Sequence, residues 1–377
     1  MPLLFFIIPI SYLLLLVFSY FWVDFNLTLI SWEPISQFLE RFQHLGYFNR
    51  PLFSRFYLII VILLVLIQIY LLFSRFIYKT SLRKLLLLAG VVTLISCLAY
   101  PFLSYDIFSY LFDAKIIWYY QENPYLFAPD HFSSDPWLRF MRWTHRVAPY
   151  GPIWLIYSLL PAVFSFGRFI LNFYGLKLLG GLVFFISGWL LLKISKQDRK
   201  VFAYWFFNPF LLIELLVNSH NDLLMIGLFF VALFFSQQKR SILTTLAFLA
   251  SLGVKFMSGL AWPLIFFKNK PFWATMFVFF GLLGFAWQIN RFQPWYFTWL
   301  FLAFPLMKMT TFSWLVVFVF QFFLLVLKYQ PFLASGSWEG TGFFVFFRAL
   351  FVSLALFFLF LLPKLQGLLF KFFRLHQ

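Results

Sequence analysis

The segment from Tyr105 to Pro152 concentrates the side chains of this chain that could do chemistry. It lies between long apolar runs and carries five of the 12 acidic residues, together with two histidines and a group of arginines. Asp106 directly follows an apolar run and begins a stretch of helical character, where the helix dipole favours a carboxylate. A partly desolvated carboxylate can take a proton from a hydroxyl as a general base. Asp106 is therefore either a candidate catalytic base or simply a charge at a helix N-terminus.

Further candidates lie in the same segment. Tyr110 and Asp113 follow Asp106 at i+4 and i+7, so all three share one face of the predicted helix. Tyr150 belongs to a Pro-Tyr-Gly-Pro motif at the end of the segment. We interpret Tyr110, Asp113 and Tyr150 as candidate substrate contacts. Three arginines form either a solvated helix face or a contact for phosphate headgroups: Arg139, Arg142 and Arg146.

A second polar group closes an apolar run near residue 217. Glu214, Asn218 and Asn221 are spaced i, i+4 and i+7, with His220 and Asp222 beside them. An acid inside an apolar span costs roughly 2.5–3.5 kcal/mol on insertion scales, so Glu214 should face the interior of a helix bundle. The group is either a polar cap where two helix ends meet or a substrate-binding site formed by Glu214, His220, Asn221 and Asp222. His220 and Asp222 alone are too few ligands for a metal site.

Three residues farther along the chain complete the set of candidates. Lys255 interrupts an apolar run, where it could neutralise a lipid phosphate as a point charge or only snorkel to the membrane interface. Trp295 and Tyr296 could stack on a sugar ring, or belong to the aromatic belt of a membrane protein. The sequence has no Asp-x-Asp pair, Gly-rich phosphate loop or Gly-x-Ser-x-Gly elbow. We therefore expect neither a nucleotide donor nor a required divalent metal or other cofactor.

The elements that must position these residues are membrane helices. The chain is 63% apolar and 11% charged, with a mean hydropathy of +0.89, whereas soluble domains have about 25% charged residues. This composition predicts an all-α integral membrane protein with about 12 transmembrane helices, each needing roughly 20 apolar residues. The spans are predicted near 3–22, 55–73, 85–102, 170–193, 201–217, 222–236, 242–254, 257–267, 271–290, 297–307, 312–328 and 341–362.

Charge sets the orientation of these spans. The net charge of +17 comes mostly from short connections on one side, the pattern of cytoplasmic loops facing anionic lipid. Keeping those connections inside requires that residues 153–166 form an interfacial helix along the outer surface. The polar segment then lies outside the cytoplasm, both termini lie inside, and no nucleic-acid partner is expected. The lone Cys97 lies in an apolar run, which excludes a disulfide framework and a cysteine zinc site.

The order of the motifs resembles a known family. Tyr105-Asp106 with Asn123-Pro124-Tyr125 and Pro149-Tyr150-Gly151-Pro152, followed by Asn208-Pro209, His220-Asn221-Asp222 and Pro294-Trp295-Tyr296, is similar to the GT-C superfamily of membrane glycosyltransferases. The nearest resemblance is to bacterial mannosyltransferases that use polyprenyl-phosphate mannose. It implies that Asp106 is the base of an inverting transfer and that Lys255 lies near the donor phosphate.

The resemblance also implies an organisation and a function. Residues 1–84 would form two N-terminal transmembrane helices, 85–310 a catalytic core with its long outer loop at 103–169, and 311–377 C-terminal transmembrane helices. The protein would be a plasma-membrane glycosyltransferase moving a hexose, mannose by resemblance, from a polyprenyl-phosphate carrier to a hydroxyl of a glycan or lipid-linked acceptor. The alternatives are a flippase or transporter of a polyprenol-linked sugar, which should place ionisable residues near the bilayer midplane, and a glycan ligase.

Overall fold

The computed structural model describes residues 3–24, 32–266, 274–275, 277–278, 280–282, 284, 293–303, 306–307 and 311–338. Over these ranges the chain forms helices and no strands. The first part contains α1 (Leu4–Tyr20), α2 (Glu33–Phe48), α3 (Arg50–Phe73), α4 (Phe76–Lys79), α5 (Leu82–Leu98), α6 (Asp106–Trp118), two 3-10 turns (Pro129–Phe132 and Pro136–Phe140), α7 (Pro152–Phe164) and α8 (Phe169–Ile194).

The second part of the described chain is also helical. It contains α9 (Arg199–Phe206), α10 (Pro209–Leu211), a π-helical turn (Leu212–Val217), α11 (Asp222–Gln237), α12 (Ser241–Val254), a 3-10 helix (Phe256–Ala261), α13 (Pro263–Phe266), a second 3-10 helix (Pro294–Leu302), α14 (Thr311–Leu327) and α15 (Tyr329–Ser335). Proline begins or directly follows the start of several of these helices, where its missing N–H costs no hydrogen bond.

Four helical stretches in the described residues are long and apolar enough to cross a membrane: Arg50–Phe73, Phe169–Ile194, Arg199–Val217 and Val317–Ser335. This confirms an all-α membrane protein. The number of twelve spans stays a prediction, because the predicted span at 271–290 lies largely outside the described residues and that at 341–362 lies wholly outside them. Helix α2 was not predicted; its sequence mixes polar and apolar residues at short spacing.

The helices bring the chain's connections to two opposite ends of the bundle. At the first, which we call the basic end (residues 74–84, 193–200 and 236–240), the Arg199 guanidinium donates to the Ile77 carbonyl at 2.8 Å and the Thr80 carbonyl at 2.5 Å. There Gln237 also donates to the Ile194 carbonyl at 3.3 Å. At the other, the polar end, the turn after α5, the turn before α11 and the C-terminus of α12 come together. The basic end carries ten lysines and arginines and one acid, Asp198, whereas the basic residues of the polar end lie among acids.

The short predicted span at 257–267 extends along the whole length of α11, although it has fewer residues. Lys255 contacts Asp222 in the first turn of α11, and the Ser236 hydroxyl in the last turn of α11 donates to the Ile265 carbonyl at 3.2 Å. The chain between them therefore runs the length of α11 in fewer residues. This is possible because part of the segment is 3-10 helix, which rises about 2.0 Å per residue instead of 1.5 Å.

Candidate active site

Asp106 lies in the first turn of α6, at the polar end. Its backbone N–H donates to the Ser104 hydroxyl at 3.3 Å, and its side chain faces the next polar turn of the bundle. Asp106 Oδ2 lies 3.3 Å from His220 Nδ1. The first turn of α6 therefore meets the turn at 218–221.

The turn that carries His220 has an unusual backbone. Leu212–Val217 is π-helical, a geometry that frequently marks functional sites, and Ser219 has a φ of +59°. The carbonyls at the end of this turn are satisfied by Lys177 of α8, whose ammonium donates to Leu216 and Val217, each at 2.8 Å, and to the Ser219 hydroxyl at 3.2 Å. Lys177 thereby holds the turn in the shape that presents His220.

His220 is enclosed on three sides. Its Nε2 lies 3.5 Å from Glu214 Oε2, opposite the contact with Asp106, and its ring stacks on Trp295 with centroids 4.3 Å apart. Burial lowers the pKa of His220, but the carboxylates of Asp106 and Glu214 outweigh burial and raise it to about 9. At neutral pH the imidazole is therefore a cation between two acids.

Glu214 is fully buried and is held from two other directions. The Tyr329 hydroxyl of α15 donates to Oε1 at 2.7 Å, and the Asn218 amide donates to Oε2 at 3.1 Å. The prediction that Glu214 faces the bundle interior is confirmed. Its contacts with His220, Tyr329 and Asn218 indicate that Glu214 holds the buried side of the site in place.

A second ionic contact lies beside the first. Lys255, the residue that ends α12, places its ammonium 2.9 Å from Asp222 Oδ1 and 3.4 Å from Asn221 Oδ1. The Trp299 indole N–H donates to the same Asp222 oxygen. Lys255 also lies over the rings of Tyr296 and Trp299, 5.6 and 5.3 Å from their centroids. The lysine thus stands at an aromatic wall, with a fully buried carboxylate behind it.

The Pro-Tyr-Gly-Pro motif closes the site from the loop side. The backbone N–H of Asn221 donates to the Tyr110 hydroxyl at 3.5 Å, and the Tyr110 ring packs edge-on against Tyr150 with centroids 4.8 Å apart. A Cβ at Gly151 would overlap the Gly253 carbonyl oxygen, so only glycine allows this approach. The motif therefore fixes the loop against the turn that presents Lys255.

Comparison with known proteins gives this arrangement a family. A family model described as alpha-(1->6)-mannopyranosyltransferase, N-terminal domain, matches residues 24–269. The chain belongs to this family. The match covers more than half of the chain and includes every site residue from Asp106 to Lys255. The predicted resemblance to GT-C mannosyltransferases is confirmed.

One curated relative carries the same name. Alpha-(1->6)-mannopyranosyltransferase A of Corynebacterium glutamicum is 26% identical over 218 residues, which is 54% of this chain and 41% of the relative. The chain thus matches less than half the length of that relative. No solved structure matches the chain.

Most of the predicted site residues meet at the polar end of this family member. The structure brings together those of α6, the loop end, the π-helical turn, α12 and the second 3-10 helix: Asp106, Tyr110, Tyr150, Glu214, His220, Asn221, Asp222, Lys255, Trp295 and Tyr296. Sequence reasoning missed Lys177, Tyr329 and Trp299. A lysine inside the apolar run at 170–193 was an available signal for the first, whereas the other two are ordinary aromatic residues in apolar segments.

Asp113 lies near Tyr150 but makes none of the ionic contacts described above. Its side chain is buried in α6, Oδ2 has no hydrogen-bond partner among the described residues, and burial raises the pKa of Asp113 to about 8. Of the loop arginines, Arg142 pairs with Asp24 at 3.4 Å, and Arg139 and Arg146 are exposed. Within the described ranges, no three His, Cys, Asp or Glu side chains are grouped to hold a metal ion; independence of a divalent metal stays a prediction.

Proposed function

We propose that the protein is a glycosyltransferase that moves a mannosyl unit from a polyprenyl-phosphate carrier to an acceptor hydroxyl, with Asp106 as general base. The observation that carries this proposal is the exposure of the ionic side chains at the site. Asp106 is 17% exposed, whereas Glu214 and Asp222 are at 0%. Among these three carboxylates, Asp106 is the one that an acceptor hydroxyl could reach.

The transfer is a single displacement at the anomeric carbon. The acceptor oxygen attacks C1 while Asp106 takes its proton, and the bond between C1 and the phosphate oxygen breaks with its electron pair going to the phosphate. Attack opposite the leaving group inverts the configuration at C1. The phosphate leaves as a stable anion, and Lys255, 21% exposed beside Asp222, is placed to neutralise it.

The assignment of the sugar and that of the lipid carrier are supported by different observations. The family description and the name of the corynebacterial relative support mannose as the transferred sugar and an alpha-(1->6) linkage to the acceptor. Trp295 and Tyr296 offer rings on which the sugar could stack, next to Lys255 and His220. A lipid carrier is supported by the apolar helices that frame the site and by the absence of nucleotide-binding motifs from the sequence.

The location of the reaction follows from the two ends of the bundle. The basic end, opposite the site, holds ten lysines and arginines and one acid, and connections with such an excess face the cytoplasm in membrane proteins. We place the site on the extracytoplasmic face of the plasma membrane, with both termini in the cytoplasm. Membrane lipids surround the spans, and the acceptor reaches the site from outside.

The test is transfer of labelled mannose in detergent from polyprenyl-phosphate mannose to a mannose oligosaccharide. Replacing a general base lowers rates by about 10²–10⁴-fold, so Asp106→Asn should lose transfer by that factor. The matched control is Asp130→Asn, which removes an exposed acid of the same loop and should keep the wild-type rate. Full activity of Asp106→Asn would overturn the assignment of the base, and transfer from guanosine diphosphate mannose instead would overturn the lipid donor.

A further inference from the structure

His220 is a charged, buried residue that the displacement itself does not use. We infer that His220 is a positioning residue: lying between Asp106 and the anchored Glu214, it fixes the orientation of the Asp106 carboxylate toward the acceptor. This inference rests on the proposed function, because it assigns a support to the proposed base.

The imidazole has a carboxylate oxygen beside each of its nitrogens. Nδ1 lies 3.3 Å from Asp106 Oδ2 and Nε2 lies 3.5 Å from Glu214 Oε2; these are ion-pair contacts, and neither nitrogen makes a hydrogen bond to the described residues. Its face is set by Trp295, whose ring lies nearly parallel at 22°. Because Asp106 Oδ2 is directed toward the imidazole, Oδ1 is left to meet an acceptor hydroxyl.

Glu214, on the side of His220 opposite Asp106, is held by several hydrogen bonds. Glu214 accepts hydrogen bonds from Tyr329 and Asn218, and its carbonyl accepts from the His220 backbone N–H at 3.2 Å. Lys177 fixes the intervening turn through two carbonyls. Contacts from α8 and α15, two helices that are remote in sequence, therefore set the position of His220. His220 in turn sets the position of the Asp106 side chain.

The positive charge of His220 also reduces the repulsion between the Asp106 and Glu214 carboxylates. Two carboxylates on either side of one buried imidazole repel each other unless a cation lies between them. The imidazole is faced by Asp106 and Glu214. The other titratable groups nearby interact with Glu214 or with Asp106 and do not face the imidazole directly. They are Tyr57, Lys328, Tyr329, Tyr110, Tyr150 and Tyr296.

The test is the pH profile of kcat/KM for His220→Gln, which removes the charge and keeps a polar side chain. At neutral pH we expect kcat to fall about 10²-fold with KM changed by less than about 3-fold, since a misplaced base costs about this much. The alkaline limb of the profile, set by loss of the His220 proton, should disappear because glutamine has no proton to lose in this range. A residue with only a structural role would lower the profile and leave the alkaline limb in place.

The control is His131→Gln, which changes an exposed histidine of the loop and should leave both limbs in place. A wild-type kcat and a retained alkaline limb in His220→Gln, with Asp106→Asn inactive, would overturn this inference and leave the proposed function standing. An active Asp106→Asn would overturn the proposed function itself.

A second variant covers the case in which His220→Gln does not fold. Glu214→Gln keeps the imidazole but removes one of the two carboxylates that hold its charge. The alkaline limb of kcat/KM, set by loss of the His220 proton, should then move to lower pH by about one unit. An alkaline limb that stays in place in this variant would also overturn the inference.

Discussion

Two lysine–carboxylate pairs, Lys115–Asp135 in the loop and Lys255–Asp222 at the polar end, have the same chemistry and different surroundings. Asp135 accepts from the Tyr120 hydroxyl at 2.7 Å and from the Trp137 backbone N–H at 2.8 Å, and so caps a 3-10 turn. All its contacts are made within the loop. Asp222 has one oxygen, Oδ2, without a hydrogen-bond partner among the described residues, and its lysine is the more exposed of the two.

The difference separates a structural ion pair from a functional one. Breaking a buried pair by removing one partner leaves an uncompensated charge and destabilises by about 3–5 kcal/mol, whatever the pair does. Single substitutions therefore cannot distinguish the two cases. Neutralising both members of each pair removes that cost and leaves only the loss of function to be measured.

The largest effect is expected from Lys255→Met combined with Asp222→Asn. Without the ammonium the leaving phosphate is not neutralised, so kcat should fall about 10²–10³-fold, the loss typical of removing one group that stabilises a developing charge. The measurement is mannosyl transfer per folded molecule, with the folded fraction taken from gel filtration. Lys255→Arg, which keeps the charge, is the control and should retain more activity; equal activity of the double variant and wild type would remove Lys255 from the mechanism.

The companion variant, Lys115→Met with Asp135→Asn, should behave in the opposite way. Asparagine can still cap the 3-10 turn and accept from Tyr120, so turnover per folded molecule should stay within about 2-fold of wild type. The loss should appear in thermal stability, by about 1–3 kcal/mol for the altered buried polar contacts. A large fall in turnover at full stability would show that this pair also serves the reaction.

Gly151→Ala tests how the loop holds the Lys255 turn. The added methyl group would overlap the Gly253 carbonyl oxygen, and overpacking of this kind costs about 1–3 kcal/mol. Turnover should fall with stability because Lys255 follows Gly253 by two residues. Gly167→Ala, at a glycine with open space around it but a φ of +74°, is the contrasting variant: stability should fall and turnover of the folded fraction should not.

The smallest effect is expected from Asp113→Asn, and it depends on pH. Burial raises the pKa of Asp113 from 3.8 to about 8, so between these values the folded protein binds a proton that the unfolded chain has released. Stability from this residue therefore falls as pH rises through that window. The variant should be at least as stable as wild type at pH 8, with a flatter dependence of melting temperature on pH. Parallel curves for the two proteins would contradict a neutral, buried Asp113.

Sequence reasoning located the site because its parts lie at the ends of apolar runs. Asp106 follows one run and Asn218–Asp222 ends another, and helix ends on the same side of a bundle must meet. Asp113 shows the limit of this reasoning. The spacing i, i+7 predicts a shared face, but seven residues of helix span about 10 Å along the axis, enough to carry Asp113 away from His220 and into the packing of α6.

The supporting residues were beyond the reach of local patterns. Tyr329 reaches Glu214 from more than a hundred residues away, which no helical spacing can predict. No local pattern in the sequence predicted the π-helical turn or the 3-10 segments, so short apolar runs such as 257–267 did not reveal that they cover the length of α11. Composition and charge were enough for the all-α membrane class and for the contrast between the two ends.

The most direct measurement is a structure of the Asp106→Asn variant with a polyprenyl-phosphate mannose bound. We predict the donor phosphate at the Lys255 ammonium, the sugar ring against Trp295 or Tyr296, and C1 directed toward residue 106. A phosphate held instead at the basic end, or a C1 that faces Glu214 or Asp222, would contradict the assignment of base and phosphate contact made here.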